Sequence, residues 1–175
     1  MSPCLARGHG ETGQRRPVAG VRNGRLPVAA TETRAFTIQS LGHVVLRVRN
    51  IERSEPFYRD VLGLQIRERV PGRAIFFTCG QQHHDLAIFQ IGQDAPGPED
   101  RRVGMYHVAL KLPDFAQLKA AYQHAKASGA TIAGMNHHGG SKSVYLKDPD
   151  GLEIEIYCET TDKGTEETLR QELES

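Results

Sequence analysis

LGHVVLRVRNIERSEPFYRDVLGL at residues 41–64 and YHVALKLPDFAQLKAAYQHAKASGA at residues 106–130 are two renderings of one pattern. In each, a stretch of alternating apolar and polar residues reads as a strand, a short break follows, and an amphipathic helix comes next. Asp114 is the expected N-cap of the second helix and Gly129 its closing residue, because glycine tolerates the left-handed backbone on which helices often end. In the first helix Ser54 is the expected cap. That puts Pro56 in the first turn, where a missing amide hydrogen costs little.

Working outward, each helix is followed by three short runs of β character. In the first half these are LQIRERV, RAIFFTC and HDLAIFQI, separated by a Pro71-Gly72 turn and a Gly80-Gln81-Gln82 turn. In the second half they are ATIAGM, SVYL and LEIEIYC, the last two joined by Asp148-Pro149-Asp150-Gly151. Each half is therefore βαβββ, over residues 38–92 and 104–159, with a Pro- and Gly-containing linker at 93–102. A module of that size cannot bury its apolar sheet face alone. The expected fold is α+β, two paired βαβββ modules whose mixed sheets curl around a shared cavity.

The flanks read differently. Residues 1–36 are rich in Gly, Pro and Arg without helical or strand periodicity, which predicts a disordered extension. They are too poor in Ser and too irregular to favour a transit peptide. Residues 161–175, TDKGTEETLRQELES, are charged and predict a short exposed helix or a frayed tail. A net charge of +1 gives no reason to expect nucleic acid or an anionic membrane as partner, so the partner is a small molecule. No apolar run approaches the roughly 20 residues of a membrane helix, and a cytoplasmic protein is the expectation. Cys4, Cys79 and Cys158 are widely spaced and odd in number, fitting neither a disulfide framework nor a zinc-binding pair. Cys79 and Cys158 read as buried small hydrophobes.

His43 and His107 occupy the same place in the two repeats, within the first strand of each module. One histidine on a strand is ordinarily a core residue, but packing does not require two at symmetry-equivalent positions. In LEIEIYC, Glu153 and Glu155 fall on one strand face and Leu152, Ile154 and Ile156 on the other. One of these acids is expected to face the cavity. If the strand bends near its start, Glu153 leans to solvent and Glu155 stays within reach of the histidines. Two imidazoles and one carboxylate form the facial set that leaves open positions on Fe(II); Mn(II) also suits it, zinc less specifically.

His43 in GHVVLRV, His107 in YHVALKL and Glu155 in DPDGLEIEIY resemble the His, His, Glu set of the vicinal oxygen chelate superfamily, which also has paired βαβββ modules. The resemblance covers roughly residues 38–159 and implies a domain at 37–160 holding one divalent metal. Glyoxalase-like and epimerase-like members generally add a carboxylate on the last strand of the first module. Here that place falls at Ala87 or Ile88, neither of which binds metal.

The run HHDLAIF resembles the segment of type I extradiol (catechol-type) ring-cleaving dioxygenases that carries an active-site histidine, and His84 falls on it. HHGGSKSVYLKDPDG is similar to their stretch holding a further histidine and a tyrosine, which implies Tyr145 and either His138 or His137, His138 being the better match. The resemblance thus implies an Fe(II)-dependent dioxygenase, with Mn(II) as the other metal, acting on an aromatic diol and dioxygen. His84 would stabilise charge developing on dioxygen and donate a proton as its bond breaks. Tyr145 and His138 would hold the substrate oxygens.

Well-known extradiol enzymes carry a further pair of modules ahead of the metal-binding pair, whereas this chain resembles only the metal-binding half. A homodimer that completes the pocket is expected. Two alternatives remain: a Mn(II)-dependent transferase of the fosfomycin-resistance kind or a glyoxalase-like or epimerase-like enzyme, and a metal-free binding module of the bleomycin-resistance kind.

Overall fold

The computed structural model describes residues 35–175, apart from the side chain of residue 138; the extension expected at residues 1–36 lies almost entirely outside them. Within 41–175 the chain builds two four-stranded sheets of the same topology. In the first half come β1 (Val44–Val48), helix α1 (Ile51–Pro56), β2 (Gln65–Val70), β3 (Ala74–Thr78) and β4 (Leu86–Gln90). The second half repeats the order with β5 (Val108–Lys111), α2 (Phe115–Ala127), β6 (Thr131–His138), β7 (Ser141–Lys147) and β8 (Glu153–Glu159), and adds α3 (Glu166–Glu174). The sheets run β1-β4-β3-β2 and β5-β8-β7-β6. In each, the first strand lies parallel to the last and the remaining neighbours are antiparallel.

The repeat holds at the level of register. Val44 pairs with Leu86 in the first sheet and Val108 with Ile154 in the second. His43 and His107 are thus equivalent, but each immediately precedes its strand rather than lying inside it.

Helix α1 begins one turn earlier than the sequence suggested. Asn50, not Ser54, is the N-cap, its side-chain oxygen accepting from the Arg53 amide at 2.7 Å. Ser54 is buried inside the helix, and Pro56 sits at its end. Since proline has no N–H for the preceding turn, the ladder slips there into a π-helical turn at Phe57–Val61, closed by the Leu62 amide on the Phe57 carbonyl at 3.0 Å. Helix α2 follows expectation: Asp114 caps it, and Gly129 at φ +73° lets the Ala130 amide return to the Ala125 carbonyl at 3.0 Å.

One apolar core runs behind both sheets, including Val48, Tyr58, Phe77 and Ile88 from the first half with Leu118, Val144, Ile154 and Cys158 from the second. The charged C-terminal segment joins it. Leu169 and Leu173, one helical turn apart, are fully buried, so α3 is a docked helix and not an exposed one. Burying each leucine contributes about 1.5–3 kcal/mol. Cys79 is exposed, against expectation, because it lies just past the end of β3; Cys158 is buried as read.

The Asp148–Gly151 turn, which launches β8, is fastened to the first half. The buried Tyr58 hydroxyl donates to Asp148 at 2.8 Å, and Asp148 also accepts from the amides of Asp150 and Leu152. Asp150 takes Arg49 at 3.0 Å and also pairs with Arg53. Burial raises the Asp148 carboxyl above the usual carboxylate range, while the hydrogen bonds pull the other way; burial, followed by the Asp148 charge, raises the Tyr58 phenol. Two strands of sequence far apart are thereby locked at the point where the acidic residues of β8 begin.

Candidate metal centre

Each sheet keeps one face on the core and leaves the other open, and alternation decides which side chains stand on the open face. On the second sheet Glu153, Glu155 and Tyr157 are half-buried there, while Ile154, Ile156 and Cys158 are buried on the core side. His107 joins them from the start of β5. Its Nε2 lies 3.0 Å from a Glu155 carboxylate oxygen and its Nδ1 3.8 Å from Glu153. The Nδ1 atom is buried without a hydrogen-bond partner. Such an atom costs free energy unless something engages it.

Glu153 does not lean into solvent as the sequence suggested. Its side chain is only 15% exposed and accepts from Lys147 at 2.9 Å, so both acids of LEIEIYC face His107. Tyr145 pairs with Glu155 across β7 and β8, with its ring centroid 5.7 Å from that of His107. Burial, then the Glu155 charge, raises its phenol above the ordinary value, so it is protonated at neutral pH.

On the first sheet the open face carries an aromatic row. The His43 ring lies 4.5 Å from His84, His84 meets Phe76 edge-on at 5.2 Å, and Phe76 meets Phe89 edge-on at 5.9 Å. His84 is half-buried in this row. Asp85 fixes the turn that presents it, accepting from Thr78 at 2.9 Å and from the Cys79 amide at 2.7 Å. The His83 and His84 Nδ1 atoms are 2.9 Å apart.

The structure thus brings the sequence-selected residues together in two groups. His107, Glu155 and Tyr145 share the open face of the second sheet, and His43 with His84 that of the first. The shared cavity expected to gather all three metal ligands is not formed. Among the described residues no three His, Cys, Asp or Glu side chains converge in a way that could hold a metal ion. The physical reason is that the two sheets are not closed upon each other: β1 and β5 are edge strands, each paired on one side only.

His137 is turned away from Tyr145. Its side chain is 1% exposed, with Nε2 3.7 Å from Asp162 and the backbone of Gly164 against its ring. It belongs to the layer beneath the segment leading into α3. His138 stands opposite Ser141 in the β6–β7 pairing. His124, read as exposed, is exposed, with Nε2 2.7 Å from the Asp60 carbonyl oxygen; His9 lies outside the described residues.

A cleft of 320 Å³ opens between β1 and the start of β5, lined by Val45, Leu46, Arg47, the residues from Met105 to Val108, Leu152 and Glu153. Sequence reasoning passed over Arg47, Phe76, Phe89 and Lys147, and turned Glu153 toward solvent. Strand alternation could have placed the first three on one face, but the pairing of three strands was needed to put them side by side.

The sequence profile of the Glyoxalase/Bleomycin resistance protein/Dioxygenase superfamily matches residues 40–156. A catechol-2,3-dioxygenase from Bacillus subtilis (strain 168) is 32% identical over 123 residues, covering 68% of this chain and 41% of that protein. The chain therefore spans about two fifths of that relative's length. The glutathione transferase FosA from Serratia marcescens is 31% identical over 120 residues, covering 69% of this chain and 81% of that protein. Among solved structures, the lactoylglutathione lyase from Agrobacterium tumefaciens superposes with a TM-score of 0.56 at 27% identity, over 69% of this chain and 94% of that one.

Proposed function

Because the chain belongs to the Glyoxalase/Bleomycin resistance protein/Dioxygenase superfamily, we propose that it is an Fe(II)-dependent extradiol dioxygenase, opening the ring of a catechol-type diol with dioxygen. The observation that carries this reading is the placement of Tyr145 across the strand from Glu155 and beside His107. A fold used only to hold an apolar ligand has no use for a protonated phenol next to an imidazole–carboxylate pair.

The donors fit a divalent metal of this kind. His107 and Glu155 face each other at 3.0 Å on an open sheet face, and imidazole with carboxylate suits Fe(II), with Mn(II) as the other choice. His43 would be the remaining ligand. When bound, the metal supplies Lewis acidity that makes a diol hydroxyl easier to deprotonate.

The chain's own groups do the rest. The Tyr145 phenol donates to a substrate oxygen and fixes the ring's orientation, and His138 is assigned the neighbouring contact. His84, held between His43 and Phe76, would donate a proton as the dioxygen bond breaks. Phe76 and Phe89 pack the aromatic ring and keep water from it.

Since His43 stands on one sheet and His107 with Glu155 on the other, the working form in this reading is a homodimer in which His43 of one copy meets His107 and Glu155 of the second. Val45, Ile91, Met105 and Tyr106, exposed apolar side chains around these strand edges, are surfaces such pairing would cover.

A second reading is a metal-dependent transferase. It draws on the likeness to FosA, of which this chain covers 81%, twice the share it covers of the catechol-2,3-dioxygenase. A glyoxalase-like role has less support, because the fourth-ligand position is an alanine.

Anaerobic loading with Fe(II), followed by catechol and substituted catechols in air, tests the proposal. Yellow ring-opened product that requires Fe(II) and disappears in His107→Ala is the expected result. Metal bound in stoichiometric amount with no diol consumed would overturn it in favour of the transferase.

A further inference from the structure

We propose that Arg47 is the specificity residue of this site and that the substrate is an aromatic diol carrying a carboxylate side chain. The inference rests on the dioxygenase reading for the diol, but the anion-binding role of Arg47 stands on the sheet itself.

Arg47 is exposed on β1, on the same face as His43 and Val45. Its pairing partner on β4 is Phe89, and Val45 pairs with Ala87, which in turn pairs with Phe76. The face therefore has a graded chemistry. His43 and His84 form a polar end, Val45, Ala87 and Phe76 an apolar middle, and Arg47 beside Phe89 a cationic end.

Arg49, the next residue on that face, is committed to Asp150 and to the Ala95 carbonyl. Arg47 has no ion pair or hydrogen bond of its own among the described residues. A guanidinium at the border of an aromatic face, with its five donors unengaged, is suited to take a carboxylate through two parallel hydrogen bonds.

The distances fit one small molecule. His43 and Arg47 are four residues apart, about 13 Å along the strand, a span that one ring with a short acidic arm can bridge when an imidazole and a guanidinium engage its two ends. Arg47 also lines the 320 Å³ cleft that contains His107. A ring held at His43 by its hydroxyls would meet Arg47 with its far substituent. A diol without an anionic arm would leave that guanidinium unused.

The test is binding and turnover with matched ligands. Affinity for 3-phenylpropionate and for its neutral amide is measured by calorimetry on the Fe(II)-loaded protein, for wild type, Arg47→Gln, Arg47→Lys and, as an exposed control, Arg67→Gln. The carboxylate should bind about 10- to 100-fold more tightly than the amide, the range of a charge-assisted contact. That preference should vanish in Arg47→Gln, return in part in Arg47→Lys and persist in Arg67→Gln. In parallel, kcat/KM for 3,4-dihydroxyphenylpropionate should exceed that for catechol in wild type and Arg67→Gln but not in Arg47→Gln. No measurable carboxylate binding, equal binding of acid and amide, or an equal loss in Arg67→Gln overturns the assignment. Carboxylate binding that follows Arg47 without any ring opening upholds the anion site and rejects the dioxygenase. Ring opening of neutral and acidic diols alike does the reverse.

Discussion

Ala87 and Glu155 occupy the same register position in the two sheets: Ala87 pairs with Val45 across β4 and β1, as Glu155 pairs with Ala109 across β8 and β5. The repeat that supplies two histidines therefore supplies one carboxylate. The other position is a fully buried methyl group.

That asymmetry predicts the outcome of Ala87→Glu. The carboxylate would enter a fully buried position, so the metal-free protein should lose about 2–5 kcal/mol of stability. Thermal unfolding measures it. A Tm equal to that of wild type would mean the open face of the first sheet is far looser than its packing of His84, Phe76 and Phe89 implies.

Division of the proposed ligands between the sheets predicts complementation. His43→Ala and His107→Ala should each be inactive alone. If a second copy completes the site, mixing them in equal amounts after partial unfolding and refolding should restore about a quarter of the sites, since half the dimers are mixed and one of their two sites is whole. Absence of recovery, with each variant still dimeric, would show that one chain closes on its own ligands.

His84 sits against His43 but is assigned proton delivery, not ligation. Replacing it with Gln should preserve metal content and lower kcat by a factor of about 100, the scale of a general acid. Loss of metal in His84→Gln would reassign it as a ligand.

Asp148 sets a pH dependence of stability. Its folded pKa is raised, chiefly by burial, so between the unfolded value near 3.9 and the higher folded value the native state binds more protons than the unfolded state. Stability from this group is therefore greatest below that window and falls as pH rises through it. Asp148→Asn should flatten the slope of unfolding free energy against pH in that window, while keeping an oxygen to accept from the two turn amides and an amide nitrogen to donate to the Tyr58 hydroxyl oxygen. An unchanged slope would show that the carboxyl does not titrate differently in the two states.

Much of the fold was legible because it is local and repeated. Asp114 and Gly129 delimit α2 as read, since a cap and a left-handed closing residue act on their own neighbours. Asn50 was missed for Ser54 because both residue types cap equally well, and burial of Ser54 against the sheet made the choice. The charges that dominate the composition of α3 predict an exposed helix or a frayed tail. Only the packed layer beneath it reveals why Leu169 and Leu173 recur four residues apart.

By itself the sequence determined the two βαβββ units, their equivalent histidines and the open face that carries Glu153 and Glu155, because hydrophobic period and turn chemistry are written residue by residue. Tertiary structure decided three further matters. Both acids face His107, His137 turns beneath the C-terminal segment while Tyr145 stays on the open face, and His43 lies against His84 at the end of an aromatic row. Those outcomes depend on which strand lies beside which and on whether two sheet edges meet, and pairing across the chain is a balance of burial and chain entropy that no local pattern encodes.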